Sequence, residues 1–186
     1  MFINTLTFFK NIDEYIKKRS YNTCMAVLLD NFTGQKPKKL TDFNYIKDNS
    51  VVTFNFNCYD SAIYSFSNKD NDDLWRGCVA EVFLDTGLDF YYEFEVAPNG
   101  AVFAAKIRNR KIEYIDPSII KAKATVVGNG YQVQLIVDLN KLERGNELKF
   151  NAFRVENKKG ETVQQLQALN PTLCETFHVR EKFKRL

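Results

Sequence analysis

An all-β fold, an antiparallel sandwich of the jelly-roll or immunoglobulin-like kind with one or two short helices, follows from three observations on the sequence. Apolar runs of strand length recur along the chain, turn-forming residues separate them, and aromatics make up 14% of the 186 residues. Aromatic side chains suit a half-buried pleated surface. With only 8 Gly and 4 Pro and 45% hydrophobic residues, the chain reads as one packed domain rather than a disordered or low-complexity segment. A chain of this size buries roughly two-thirds of the surface its unfolded form exposes and needs no covalent staple.

Taken in order, the first 20 residues read as an arm or strand packed on the domain, and residues 21–186 as the sandwich. Asn11 to Arg19 carries Ile12, Tyr15 and Ile16 on one side and is a short helix candidate, equally readable as a packed arm. Strands are expected at Thr23–Leu29, Val51–Cys58, Ala62–Phe66, Cys78–Leu84, Phe90–Val96, Ala101–Ile107, Ile119–Val127, Tyr131–Val137 and Glu147–Val155. Asn57 to Ser61, Asp85-Thr86-Gly87, Pro98-Asn99-Gly100 and Gly128-Asn129-Gly130 supply turns between them. Asp138 caps one helical turn through Leu142 that stops near Gly145.

Two-residue periodicity divides the central strands into faces. Cys78, Ala80, Val82 and Leu84 point to the core, leaving Val79, Glu81, Phe83 and Asp85 on the other side. Tyr92, Phe94 and Val96 likewise oppose Tyr91, Glu93 and Glu95, so two neighbouring strands share an acidic and aromatic surface: a binding face, or an ordinary solvated one. Arg154 shares a face with Leu148, Phe150 and Ala152, where an arginine must find a carboxylate; Glu81 is the candidate partner.

The charge balance, 26 basic against 23 acidic residues, argues against a nucleic-acid partner. The Lys36, Lys38, Lys39 loop and the Arg180 to Arg185 tail read as solvated. Cys24, Cys58, Cys78 and Cys174 form no C-x-x-C pair, which argues against zinc; on apolar strands they read as free, buried thiols, although an even count leaves two disulfides open. No apolar run approaches the ~20 residues of a membrane helix. The N-terminus has no basic region ahead of its interrupted apolar residues, so no signal peptide is visible; a cytoplasmic location is favoured, or an extracellular one if a leader has been trimmed.

Four blocks carry a family resemblance: Asp72 to Asp85 with the single Trp75, Tyr91 to Gly100, Phe150 to Glu156, and Leu169 to His178. In order and rough spacing they resemble the family 9 carbohydrate-binding modules and their DOMON-like relatives, β-sandwich domains that bind rather than cleave. The resemblance implies a non-catalytic carbohydrate-binding domain in which an aromatic ahead of the glutamate-bearing strand stacks on a sugar while glutamate, arginine and asparagine read hydroxyls. Trp75, Glu81, Arg154 and Asn170 hold those positions; Leu173 stands where a second tryptophan is expected, so Tyr91, Phe83 or Tyr64 would have to compensate. These are the residue types a pyranose requires: a flat platform for its C–H face and fixed donors and acceptors for its rim. Trp75 is equally readable as a core residue closing the end of the sandwich.

The resemblance also implies possible structural calcium. Asp70, Asp72 and Asp73 supply loop oxygens for it, against the plain reading of a solvated turn. Haem would need an axial ligand that His178 or Met25 alone does not provide, and nothing marks a glycosidase carboxylate pair. The alternative to sugar binding is a sandwich that has lost it and serves as a protein-interaction or structural module.

Overall fold

The computed structural model describes residues 22–161 and 164–186, so the N-terminal arm and its helix candidate lie outside the described residues. Thirteen strands run β1 Asn22–Val27, β2 Leu29–Asp30, β3 Thr41–Asp48, β4 Val51–Cys58, β5 Val79–Asp85, β6 Tyr91–Val96, β7 Val102–Arg108, β8 Lys111–Tyr114, β9 Ile120–Val127, β10 Gly130–Asp138, β11 Lys149–Glu156, β12 Gln165–Ala168 and β13 Lys184–Arg185. They form two antiparallel sheets. One has five strands in the order β1-β3-β4-β10-β9; the other has eight, in the order β2-β12-β11-β5-β6-β7-β8, with β13 paired to β11. Among the described residues the helical content is four one-turn 3-10 segments, at Leu74–Arg76, Pro117–Ile119, Leu139–Lys141 and Arg180–Lys182. Asp138 caps the third as expected, its carboxylate accepting from Asn140 N at 3.0 Å.

The sheets close on an aromatic core. Phe43, Phe54 and Phe56 from β3 and β4 meet Phe150 and the Cys78, Ala80, Val82, Leu84 face, with Tyr92, Phe94 and Val96 beside them. The assigned core faces of β5 and β6 are therefore the ones buried between the sheets. Three expectations need adjustment. Thr41–Asp48 is a full strand, paired with β4 through a turn at Asn49 (φ 54°) and Ser50. Ala62–Phe66 is not a strand: Ile63 sits at φ 51°, and the segment touches the sheet through Cys78 N donating to Tyr64 O at 2.7 Å. Finally, the outer face of the larger sheet is not open to water. Val79, Phe83, Tyr91, Phe103, Phe153 and Val155 on that face form a second apolar cluster under Leu74, Phe177 and Phe183, so β5 and β6 are buried on both sides.

Two segments make that cover. One carries the 74–76 turn, and Gly77 lets it approach: a Cβ there would lie 2.6 Å from both Phe66 N and Tyr64 O, a position only glycine can fill. The other is the stretch after β12, in which Phe177 stacks on Phe153 at 4.2 Å between centroids and Arg180 grips Asp85 through two bonds of 2.7 and 2.6 Å.

Candidate functional site

The covered face of the eight-stranded sheet holds most of the sequence-predicted site. Glu81 lies in its floor, directly across from Glu95 on β6 and from Phe153 on β11. Trp75 stands on the rim at the end where β5 begins, 47% exposed, on the 3-10 turn that packs against β6. Its backbone is fixed rather than its ring: Gln164 donates to Trp75 O at 2.7 Å, and Asn157 donates to the neighbouring Arg76 O at 2.9 Å. The turn is also pinned from outside by the Arg76 guanidinium, 4.2 Å above the Phe66 ring. Of the two roles open to Trp75 in the sequence, exposure excludes the buried core plug.

Tyr91 and Asn170 belong to the same face but to its other end. The Tyr91 hydroxyl meets His178 Nδ1 at 2.5 Å under the stack of His178 on Phe83. Burial first, then the Glu93 charge, raises the Tyr91 pKa, while burial and the Arg110 charge lower that of His178, so the pair is a neutral hydrogen bond. Asn170 is tied to Asn151 by reciprocal bonds, its N donating to Asn151 Oδ1 at 3.0 Å and its O accepting from Asn151 Nδ2 at 2.8 Å.

Arg154 is a correction. It points between the sheets, 0% exposed, whereas Glu81 points out of the opposite face, because Arg154 pairs in register with Ala80 and not with Glu81. Its partner is Glu156, two residues along on the same face, at 2.6 Å. Leu40 O and Thr41 Oγ1, both at 3.0 Å, and Tyr59 O at 3.2 Å take further guanidinium hydrogens. Burial would raise the Glu156 carboxyl, but Arg154, Lys39 and the Ala62 amide hold it below its ordinary range. This arginine anchors the interior and cannot reach a ligand outside it.

The acidic loop uses its carboxylates locally. Asp70 accepts from Val102 N at 2.8 Å, Asp72 from Asp73 N at 2.9 Å, and Asp73 lies 4.0 Å from Arg76, so these carboxylates serve the loop's own shape. They do not converge. Among the described residues, the only three acidic or metal-ligating side chains whose ligand atoms come together are Glu81, Glu93 and Glu95. The three loop carboxylates are therefore not gathered on one point.

Two rim residues escaped the sequence reading or changed meaning. Phe32 is 45% exposed at the tip of a tightly specified turn, in which Asp30 Oδ1 accepts from Phe32 N and Thr33 N and Gly34 N returns to Asp30 O at 2.8 Å. An aromatic amid Asp-Asn-x-Thr-Gly turn formers was the available signal. Leu173, 58% exposed at φ 62°, donates its N to Asn31 O, and Asn31 N in turn donates to Leu166 O on β12. A leucine in the left-handed region is a genuine backbone outlier, a kind of strain that clusters at functional sites. Trp75 and the Phe32/Leu173 pair are thus both attached to the β12 end, through Gln164 and Leu166.

A groove of about 620 Å³ lies elsewhere, on the outer face of the five-stranded sheet, floored by Asn44, Asn55, Asn57, Gln132 and Gln134 and edged by Met25 and Val27. Its amides largely bond one another: Asn55 joins Asn44 at 2.9 Å and Gln134 at 3.2 Å. Cys58 and Cys78 are free and buried and Cys174 is free and partly buried; the Cys24 thiol lies outside the described side chains.

Among known proteins, no family model matches the chain. A relative from Arthroderma benhamiae described as an extracellular protein is 25% identical over 178 residues, covering 82% of this chain and 80% of its own. That finding overturns the cytoplasmic placement favoured by the N-terminal sequence. A Bacteroides uniformis structure, classed provisionally as a carbohydrate-binding protein, superposes with a TM-score of 0.69 at 13% identity, over 94% of this chain and 89% of that one. A family 9 carbohydrate-binding module from Caldicellulosiruptor kristjanssonii, solved with cellotriose, superposes with a TM-score of 0.58 at 14% identity, over 84% of this chain and 75% of that one. The same source gives a glucose complex with a TM-score of 0.56 at 15% identity, over 77% and 73% of the two chains. The chain therefore has the carbohydrate-binding-module β-sandwich fold.

Proposed function

We propose that this protein is a non-catalytic carbohydrate-binding domain acting outside the cell, and that it takes a mono- or oligosaccharide at the rim of the Glu81-bearing face. The observation that carries the reading is Trp75: a large flat ring left half exposed on a turn whose backbone is clamped, beside an acidic floor, in a fold shared with modules solved with glucose and cellotriose. Trp75 is the stacking platform, and Phe32 and Leu173, exposed on segments tied to the same β12 end, take the part of a second tryptophan. Asn170, partly exposed farther along the same face, supplies a polar contact, whereas Glu81 and Tyr91, 2% and 7% exposed, lie beneath the cover and shape the site from below. The extracellular setting is supported by the fungal relative.

A glycan-array screen of the intact chain tests this, followed by calorimetry on the parent and Trp75→Ala. A dissociation constant on the order of 0.1–1 mM is expected from a site with one strong platform. Trp75→Ala should abolish binding without unfolding the protein, and Leu173→Trp should tighten it. Failure of the parent to bind any glycan at millimolar concentration, or undiminished binding by a folded Trp75→Ala, removes the reading. The interaction-module alternative then takes over, favoured by the groove on the five-stranded sheet with Met25 and Val27 exposed along its edge.

A further inference from the structure

We infer that Glu81, Glu93 and Glu95 together form a binding site for a hard divalent cation, calcium in the first instance. Glu81 and Glu95 face each other across β5 and β6, and Glu93 is two residues from Glu95 on the same face. One carboxylate oxygen from each comes within 4.8 Å of the other two. That is the span of oxygens gathered on one cation at about 2.3–2.6 Å. The three residues are 2%, 7% and 1% exposed. Their remaining neighbours in the ladder are apolar: Phe153 beside Glu81, Phe103 beside Glu95, Phe83 and Ala105 beside Glu93.

Among the described residues no lysine or arginine pairs with these carboxylates. Burial is the main influence on each carboxyl, and the charges acting on the cluster are its own and that of Asp73, all of which push protonation upward. Glu95 Oε2 is moreover fully buried with no hydrogen-bond partner. Carboxylates facing each other across a sheet repel, and uncompensated buried charge is costly, so the cluster is held either by protons, as in the hydrogen bond between Glu93 and Glu95, or by a cation that displaces them. Three carboxylates offer three to six oxygens and neither nitrogen nor sulfur, a set that suits calcium or another hard cation rather than zinc or copper. The inference does not rest on the sugar reading, which keeps Trp75 as its platform whatever Glu81 ligates.

The test uses the intact chain, stripped with chelator and then titrated with calcium chloride, magnesium chloride or manganese chloride at pH 7.5 and constant ionic strength, with no sugar present. Calcium should bind one to one and raise the melting midpoint by several degrees at millimolar concentration, because a ligand that binds only the folded state stabilises it. Glu95→Gln and Glu93→Gln should each weaken binding by about tenfold or more, and Asp72→Asn, in the surface loop, should leave it unchanged. Should either glutamine variant fold poorly, the other, with the electron paramagnetic resonance signal of manganese bound to the parent, decides. A parent whose melting and calorimetry respond to none of the three cations overturns the proposal. So does a response that survives both glutamine substitutions or disappears in Asp72→Asn.

Discussion

Two groups of buried carboxylates, one on each side of the eight-stranded sheet, differ in a single respect. Glu156, between the sheets, is surrounded by positive and donating groups: Arg154 at 2.6 Å, Lys39 at 2.8 Å, Ser61 at 2.9 Å and the Ala62 amide at 2.6 Å. Glu81, Glu93 and Glu95, under the cover on the other face, have no cationic partner among the described residues. Both groups are removed from water to a similar degree. The first is complete as folded and belongs to the architecture; the second is complete only with a proton or a ligand, which is why function is sought there. Buried charge by itself does not mark a site, but buried charge without a partner does.

The sharpest way to break this contrast is Arg154→Met. It leaves Glu156 buried without its main counter-charge and should cost about 3–5 kcal/mol in denaturant unfolding. A loss well under that would mean that Lys39 suffices and that the two groups are more alike than they look.

The pH dependence of melting, measured in chelator, should separate them next. The carboxyls of Glu156 and of Asp85, gripped by Arg180, are held below their ordinary range, so their stabilisation is present above about pH 4 and is lost as pH falls further. Glu81, Glu93 and Glu95 are raised instead, Glu93 to about 7, so their contribution is fully present in acid and is lost as pH rises toward and through 7. Melting midpoints should thus fall at both ends, and a flat profile between pH 5 and 8 would argue that the three glutamates do not share one buried site.

A smaller effect is expected from Glu95→Gln in metal-free protein at pH 8, a gain of about 0.2–1 kcal/mol from removing a like charge opposite Glu81. Its destabilisation would show that the hydrogen bond between Glu93 and Glu95 outweighs that repulsion. Smallest of all, Phe32→Ala should change stability by no more than about 0.5 kcal/mol while weakening glycan binding.

Alternation made the inner faces of β5 and β6 legible, because Cys78 to Leu84 and Tyr92 to Val96 keep strict period two. β3 was not legible: only Phe43 and Tyr45 of Thr41–Asp48 face the aromatic core, too few to stand out, and its turn uses Asn49 rather than glycine. Ala62–Phe66 is apolar yet not a strand, since its residues pack on Gly77 and its flank without joining a ladder. At the site, Trp75 and Glu81 could be picked out by their block, but the burial of the acidic face could not. That depends on Phe177 and Phe183, from a distant part of the chain, folding across it beside Leu74. The partner of Arg154 was legible: period two sets Glu156 on the Arg154 face, while the register that opposes Ala80 to Arg154 turns Glu81 away from it.

The turn that carries Phe32 has an evolutionary corollary. Its conformation is written by Asp30, Thr33 and Gly34, through bonds that do not involve the side chain at position 32. That position can therefore accept tryptophan, tyrosine, histidine or a small polar residue without renegotiating the fold, and selection or a designer can retune what the rim prefers at almost no thermodynamic penalty. Sequence drift among descendants of this protein should concentrate there, while Asp30 stays put.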